Sequence, residues 1–251
     1  MFILFSLIFM RMTGAMTMNT IFGRAHVPPM IRGMFIFALT AMIYVWTGAK
    51  LTVPEPETLL EWGLMLVREL FVGYCLGFGI EVAVMVVRFA TTIMDFSMGL
   101  NMAQMYDPTQ NSQSTITTNL FYTGLMLLFF TTNTHLKFFE IVFGMSDVVP
   151  YGGVAITTKL ASYMLKTFND CIVMGLEFAF PIIGIELLTE VALGILMRVI
   201  PQINIFSVNF QLKIIVGLLM LLFLFNPMCD VLMRVLQKMV EILNNIVQLL
   251  H

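Results

Sequence analysis

Residues 62–90 read WGLMLVRELFVGYCLGFGIEVAVMVVRFA, and their pattern decides the fold. The run is far longer than a strand and predominantly apolar, so it is a helix. At 1.5 Å per residue it exceeds the roughly 20 residues needed to cross a hydrocarbon core of about 30 Å. It also carries charge, at Arg68, Glu69, Glu81 and Arg88. Glu69, Gly73, Gly77 and Glu81 recur every four residues and fall on one helix face. Gly73 and Gly77 form a GxxxG pair, which lets a second helix approach closely; the motif is weak alone, because glycine is common in membrane helices. Charge at membrane depth is costly and turns toward a bundle interior, so this small, acidic stripe is expected to face protein.

The rest of the chain agrees with a membrane setting. Of 251 residues, 59% are hydrophobic and 11% charged. Soluble domains carry about 45–50% apolar and about 25% charged residues, so lipid or other apolar helices must cover much of this surface. The formal net charge of −2 and the scattered Lys and Arg give no nucleic-acid footprint. Methionine and phenylalanine number 23 each, and methionine suits irregular or shifting packing.

Outward from the central run, Met1–Met10 is apolar but too short to span unless continued through Met18. It has no basic residue before it, unlike a signal peptide, so it reads as part of the mature protein. Gly33–Ala49 is uncharged and follows Pro28-Pro29, which suits a helix start near Pro29. Arg11, Arg24 and Arg32 lie between these segments without an acid, which places that loop in the cytoplasm if its flanks span. TVPEPE is a linker, and Met105–Asn119 reads as a loop. Leu120–Phe130 is apolar and continues through TTNTHLKFFEIVFGM to a turn at Asp147–Gly153.

A second long segment, from about Leu160 to Val199, repeats the first pattern. Glu186, Glu190, Gly194 and Arg198 again recur every four residues, and Pro181 is expected to kink or divide the helix. Insertion costs about 2.5–3.5 kcal/mol per central charge, so pairing must remove most of the penalty. The candidate pairs within the chain are Glu81 with Arg88 and Glu186 or Glu190 with Arg198; partners on other chains are the alternative. Phe210–Pro227 is again apolar. In Cys229–His251, Val231, Leu232, Val235, Leu236, Met239, Leu243, Ile246, Val247 and Leu250 share one face, the mark of an amphipathic helix that lies on a membrane surface or packs on a partner helix; its mixed acids and bases favour the partner helix.

Catalytic chemistry has no signature here. There is no GxxxxGK[ST], HExxH, CxxC or GxSxG, so no catalytic residue, metal ligand or cofactor is assigned. Cys75, Cys171 and Cys229 are far apart and read as small apolar residues. The reading is of a protein that is not an enzyme. The intramembrane carboxylates Glu81, Glu186 and Glu190 leave a second reading open, an independent secondary transporter or ion channel. No internal repeat of similar halves supports it.

Three stretches carry a resemblance. They are FGRAHVPPMIRGMFIFAL (Phe22–Leu39), MDFSMGLNMAQMYDP (Met94–Pro108) and ALGILMRVIPQINIFSVNFQLKIIVGL (Ala192–Leu218). In order and spacing they are similar to the FliR family of flagellar export proteins, with its injectisome counterpart SctT. The last includes Arg198, Pro201, Gln202, Asn204, Phe206 and Lys213.

The resemblance implies an all-α membrane protein of long kinked helical hairpins, in a FliP/FliQ/FliR-type helical export gate. It implies one domain over residues 1–251, about 1–160 packing like FliP and about 161–251 like the FliQ hairpin. The implied partners are FliP-like and FliQ-like subunits, an FlhB-like subunit at the cytoplasmic mouth, and exported unfolded proteins. Glu69, Gly73, Gly77, Glu81, Arg88, Glu186, Glu190 and Arg198 would then be subunit-packing positions. A loop plugs the closed pore in the family, and here it matches Met102, Met105, Tyr106, Asp107, Pro108, Thr109, Gln110, Asn111 and Ser112. The implied location is the bacterial inner membrane, in the flagellar basal body.

Overall fold

The computed structural model describes residues 2–21, 28–46, 56–101, 115–153, 157–200 and 205–250. Among these residues the regular structure is entirely helical: α1 Phe2–Thr17, α2 Pro29–Trp46, α3 Leu59–Ser97, α4 Ile116–Thr131, α5 Thr134–Val148, α6 Thr158–Val199, α7 Ile205–Phe223 and α8 Phe225–Leu250. Three of them, α2, α3 and α6, are long and apolar enough to cross a membrane, and α7 with α8 forms a fourth candidate, bent by 67°.

Local chemistry sets several of the helix ends. Pro29 opens α2, where its fixed φ suits a helix and its missing N–H costs nothing. Thr58 caps α3, its Oγ1 accepting from the Glu61 N–H at 3.3 Å. At its other end α3 closes in a Schellman turn: the Leu100 N–H donates to the Asp95 carbonyl at 2.9 Å and the Gly99 N–H to the Phe96 carbonyl at 3.2 Å. Gly99 has φ +75°, which glycine adopts without steric cost.

Several expectations are corrected. The loop expected over Met105–Asn119 ends earlier, because α4 begins at Ile116 with Thr115 as its cap. The apolar run from Leu120 is broken into α4 and α5 at Asn133, which takes the left-handed conformation at φ 58°. Asparagine tolerates that conformation better than most residues. Pro181 does not divide α6, which continues through it. Arg11 does not belong to a loop; it lies inside α1 and is fully buried.

The chain forms two compact units. The first comprises residues 1–84, 129–169 and 236–251, and the second residues 85–128 and 170–235. In the first unit α1 lies so close to α3 that only glycine fits at the crossing. A Cβ at Gly73 would collide with the Arg11 carbonyl and stand 2.8 Å from the Ala15 N. A Cβ at Gly14 would collide with the Leu70 carbonyl and stand 2.8 Å from the Tyr74 N. Gly77 sits under Met18, Ala15 and Gly14, so the GxxxG pair receives a helix of the same chain. Phe5 of α1 meets Phe37 and Tyr44 of α2 at 5.6 and 5.8 Å between ring centres. The apolar face of α8 is covered in this unit by the chain itself: Ile242, Leu243 and Ile246 are buried and approach Gly79 of α3.

In the second unit Phe121 of α4 packs edge-on against Phe178 of α6 at 5.6 Å. Gly175 of α6 meets Phe89 and Val86 of α3, and Gly124 of α4 faces Leu232 of α8.

Candidate functional site

In the second unit, two helix ends frame the segment that the sequence reading assigned to a plug. Asp95, in the last turns of α3, is fully buried and accepts a hydrogen bond from the Thr115 hydroxyl, twenty residues along the chain. Thr115 caps α4 by accepting from the Thr118 N–H at 3.3 Å. Its hydroxyl lies 2.7 Å from the Thr118 hydroxyl, which lies 2.9 Å from that of Thr91 on α3. A Schellman turn on one side and a threonine cap on the other therefore fix the two roots of residues 102–114. Met102, Met105, Tyr106, Asp107, Pro108, Thr109, Gln110, Asn111 and Ser112 themselves lie outside the described residues, as do Pro201, Gln202 and Asn204.

Also in this unit, Glu190 of α6 pairs with Lys213 of α7. This replaces the pairing expected with Arg198, which sits exposed in the last turn of α6, where a cation suits the helix dipole. Glu186, one turn before Glu190, is buried, and neither of its oxygens has a hydrogen-bond partner among the described residues. Arg88 of α3 lies over the Tyr122 ring, 5.2 Å from its centre. Phe206 lies in α7. A cleft lined by Met174, Glu177, Phe178, Val231 and Arg234 measures about 180 Å³, smaller than the about 300–1,000 Å³ of small-molecule sites.

In the first unit, both acids of the α3 stripe find partners within the chain. Arg11 Nε donates to Glu69 Oε2 at 2.6 Å, and both side chains are fully buried. Arg11 also donates to the Val149 carbonyl at 3.0 Å, and its guanidinium lies over the Tyr151 ring, 4.1 Å from the centre. The second Glu69 oxygen accepts from the Gly152 N–H at 2.7 Å, where φ of +87° favours glycine. Glu81 accepts from both the hydroxyl and the N–H of Thr20. Sequence periodicity found the glycines and the acids. It missed Arg11, Tyr151 and Gly152, because their meeting is a tertiary fact with no local signal.

Among the described residues no group of three or more His, Cys, Asp or Glu side chains is placed to hold a metal. What the geometry presents is a helical membrane scaffold, with a buried Arg11–Glu69 ion pair inside the first unit and hydrogen-bonded helix ends at Asp95 and Thr115 in the second. Its class is therefore that of an all-α membrane protein built around helix packing.

The chain belongs to the family described as bacterial export proteins, family 1, whose model matches residues 2–239. It is 27% identical to the flagellar biosynthetic protein FliR of Bacillus subtilis (strain 168), over 98% of this chain and 95% of the relative. It is 29% identical to FliR of Buchnera aphidicola subsp. Acyrthosiphon pisum, over 79% and 78% of the two chains. With FliR of Escherichia coli (strain K12) it shares 30% identity over 66% and 65%.

Proposed function

We propose that this chain is a core subunit of the bacterial flagellar type III export gate, sited in the basal body. In this reading it forms a pore for unfolded flagellar proteins with FliP-like and FliQ-like subunits, and meets an FlhB-like subunit at the cytoplasmic mouth. Residues 102–114 help to plug the closed pore. About 1–160 play the FliP-like part and about 161–251 the FliQ-like hairpin. The observation that carries the reading is the likeness to FliR along 98% of the chain.

Two structural features support it. Long stretches of α6 expose large apolar residues, among them Leu187, Leu188, Val191 and Ile195, on a helix that also bears Glu177, Glu190 and Arg198. Such a mixed surface suits neighbouring protein better than lipid. The helix ends on either side of 102–114 are capped by hydrogen bonds, so a plug there would be anchored at both sides while its uncharged Thr, Gln, Asn and Ser residues contact a passing chain without strong attraction.

The test is purification of the tagged full chain from its own membranes. Two small membrane proteins with FliP-like and FliQ-like sequences should come with it. Deleting Thr109–Ser114 should make resting membranes leaky to small ions. A chain that purifies alone would overturn the gate, and unchanged membrane tightness in the deletion strain would overturn the plug.

A further inference from the structure

Glu186 of α6 is only 2% exposed, and neither carboxylate oxygen meets a donor among the described residues. It rests against α7 where Gly217 leaves a hollow: a Cβ there would stand 3.1 Å from Oε1 and collide with the Met98 side chain. Oε1 therefore lies beside the bare Gly217 backbone, and Met98 packs against the same glycine; a thioether does not donate hydrogen bonds. One turn further along α6, and one turn earlier on α7, Glu190 pairs with Lys213. Lys213 and Glu190 are the charged groups that act on Glu186, while Met98 at the end of α3 adds no charge.

A buried carboxylate that meets no donor among the described residues is disfavoured in its ionised form, and protonation removes the charge. A hard metal ion would want about six oxygen ligands, which this setting does not supply. A cation from another protein would have to reach a side chain with almost no accessible surface. A proton is the ligand that fits.

We propose that Glu186 is a proton-binding site, and that Lys213 changes partner as the site fills and empties. With Glu186 protonated, Lys213 pairs with Glu190 and the three side chains sum to zero charge. When Glu186 gives up its proton, the three carry one negative charge and Lys213 is drawn toward Glu186. Glu190, whose side chain is 49% exposed on this chain, is left without its cation when Lys213 turns to Glu186. Protonation at a buried position thereby sets the charge displayed on the surface of α6.

The experiment is infrared difference spectroscopy on the full chain in its native complex, titrated with acid and base. Titration should reveal a protonated-carboxyl band that vanishes in Glu186→Gln and persists in Glu190→Gln. Lys213→Met should move its titration to higher pH, because the cation that stabilises the ionised form is gone. Glu190→Gln should move it to lower pH, because Lys213 is then free to serve Glu186. Each shift should be at least about tenfold in proton affinity. If Glu186→Gln fails to accumulate, the opposite shifts in the other two variants still decide. A band untouched by Glu186→Gln, or two variants that leave the titration in place, would each overturn the site. The export reading is tested by what co-purifies, so the two can fail separately.

Discussion

At the residue scale, Arg11 joins three parts of the first unit through one side chain. It satisfies Glu69, caps the Val149 carbonyl and stacks on Tyr151, all within a region closed to water. A buried pair of this kind adds little net stability compared with well-packed apolar residues, but losing one member leaves an uncompensated charge. Glu69→Ala should therefore cost about 3–5 kcal/mol, read as a fall in the denaturation midpoint of the detergent-solubilised complex. The double change Arg11→Met with Glu69→Leu should recover most of that loss. If the single and double variants are equally damaged, the charge is not the cause.

Tyr151 supplies a second prediction at the same scale. Burial pushes its hydroxyl up to about 12; Arg11 opposes this, while Glu69 and Asp147 reinforce it. In the unfolded chain the proton leaves near the ordinary value of 10.0, so between pH 10.0 and about 12 the folded state holds a proton that the unfolded state has lost. Stability must then fall as pH rises through that window, and be fully present below it. Tyr151→Phe should flatten this part of the stability curve. It should cost little at neutral pH, since the hydroxyl has no hydrogen-bond partner among the described residues. Equal slopes for native and variant above pH 10.0 would place the alkaline sensitivity elsewhere.

At the scale of the elements, the crossing of α1 and α3 depends on glycine. Any Cβ at Gly73 or Gly14 strikes backbone, which cannot give way as a flexible side chain can. Gly73→Leu should force the helices apart and abolish assembly, measured as complex yield from membranes. Gly144→Ala in α5 is the control, because nothing lies within 4 Å of a Cβ there. It should be neutral or stabilising by up to about 1 kcal/mol, the ordinary helical gain over glycine. Normal yield with Gly73→Leu would show that the close approach is not required.

Elements of this kind were largely legible in the sequence, and for physical reasons. The Pro28-Pro29 pair marks the start of α2, and the period of α8 separates buried Leu232, Leu236 and Leu243 from exposed Arg234, Gln237 and Asn244. The breaks were harder. Asn133 interrupts an apolar run without a glycine or proline to announce it, and Thr115 caps α4 inside a polar stretch that reads as loop throughout. Of the candidate sites, the glycine stripe and the acids could be read from periodicity. Their partners could not: Arg11 is fifty-eight positions from Glu69, and Lys213 twenty-three from Glu190. Pairing over such distances is fixed by packing, and helical period carries no information about it.

At the scale of the whole molecule, the question is which surfaces meet lipid. In the most apolar window of α2 only 17% of residues are buried by the chain, and in that of α6 only 33%, against 67% in α3. Both α2 and α6 must therefore be covered by something else. Their charge separates the two cases. Within α2 the sole ionisable residue ahead of its apolar length is Arg32, near the start, where a long side chain can reach the interface. Along α6 lie Lys159, Lys166, Asp170, Glu177, Glu186, Glu190 and Arg198, and its 42 residues rise about 63 Å, twice the hydrocarbon thickness. Lipid-facing charge at that density is prohibitive, whereas subunits or water can accommodate it. Trp46, at the end of α2 and 73% exposed, and a tryptophan placed at Phe37 or Met42 should thus be quenched by brominated lipid in the intact complex. A tryptophan placed at Leu188 or Val191 of α6 should be shielded, and should become quenchable only when the complex is dissociated. Equal quenching on both helices in the intact assembly would mean that α6 lies in lipid, and the assignment of its surface to neighbouring protein would have to be abandoned.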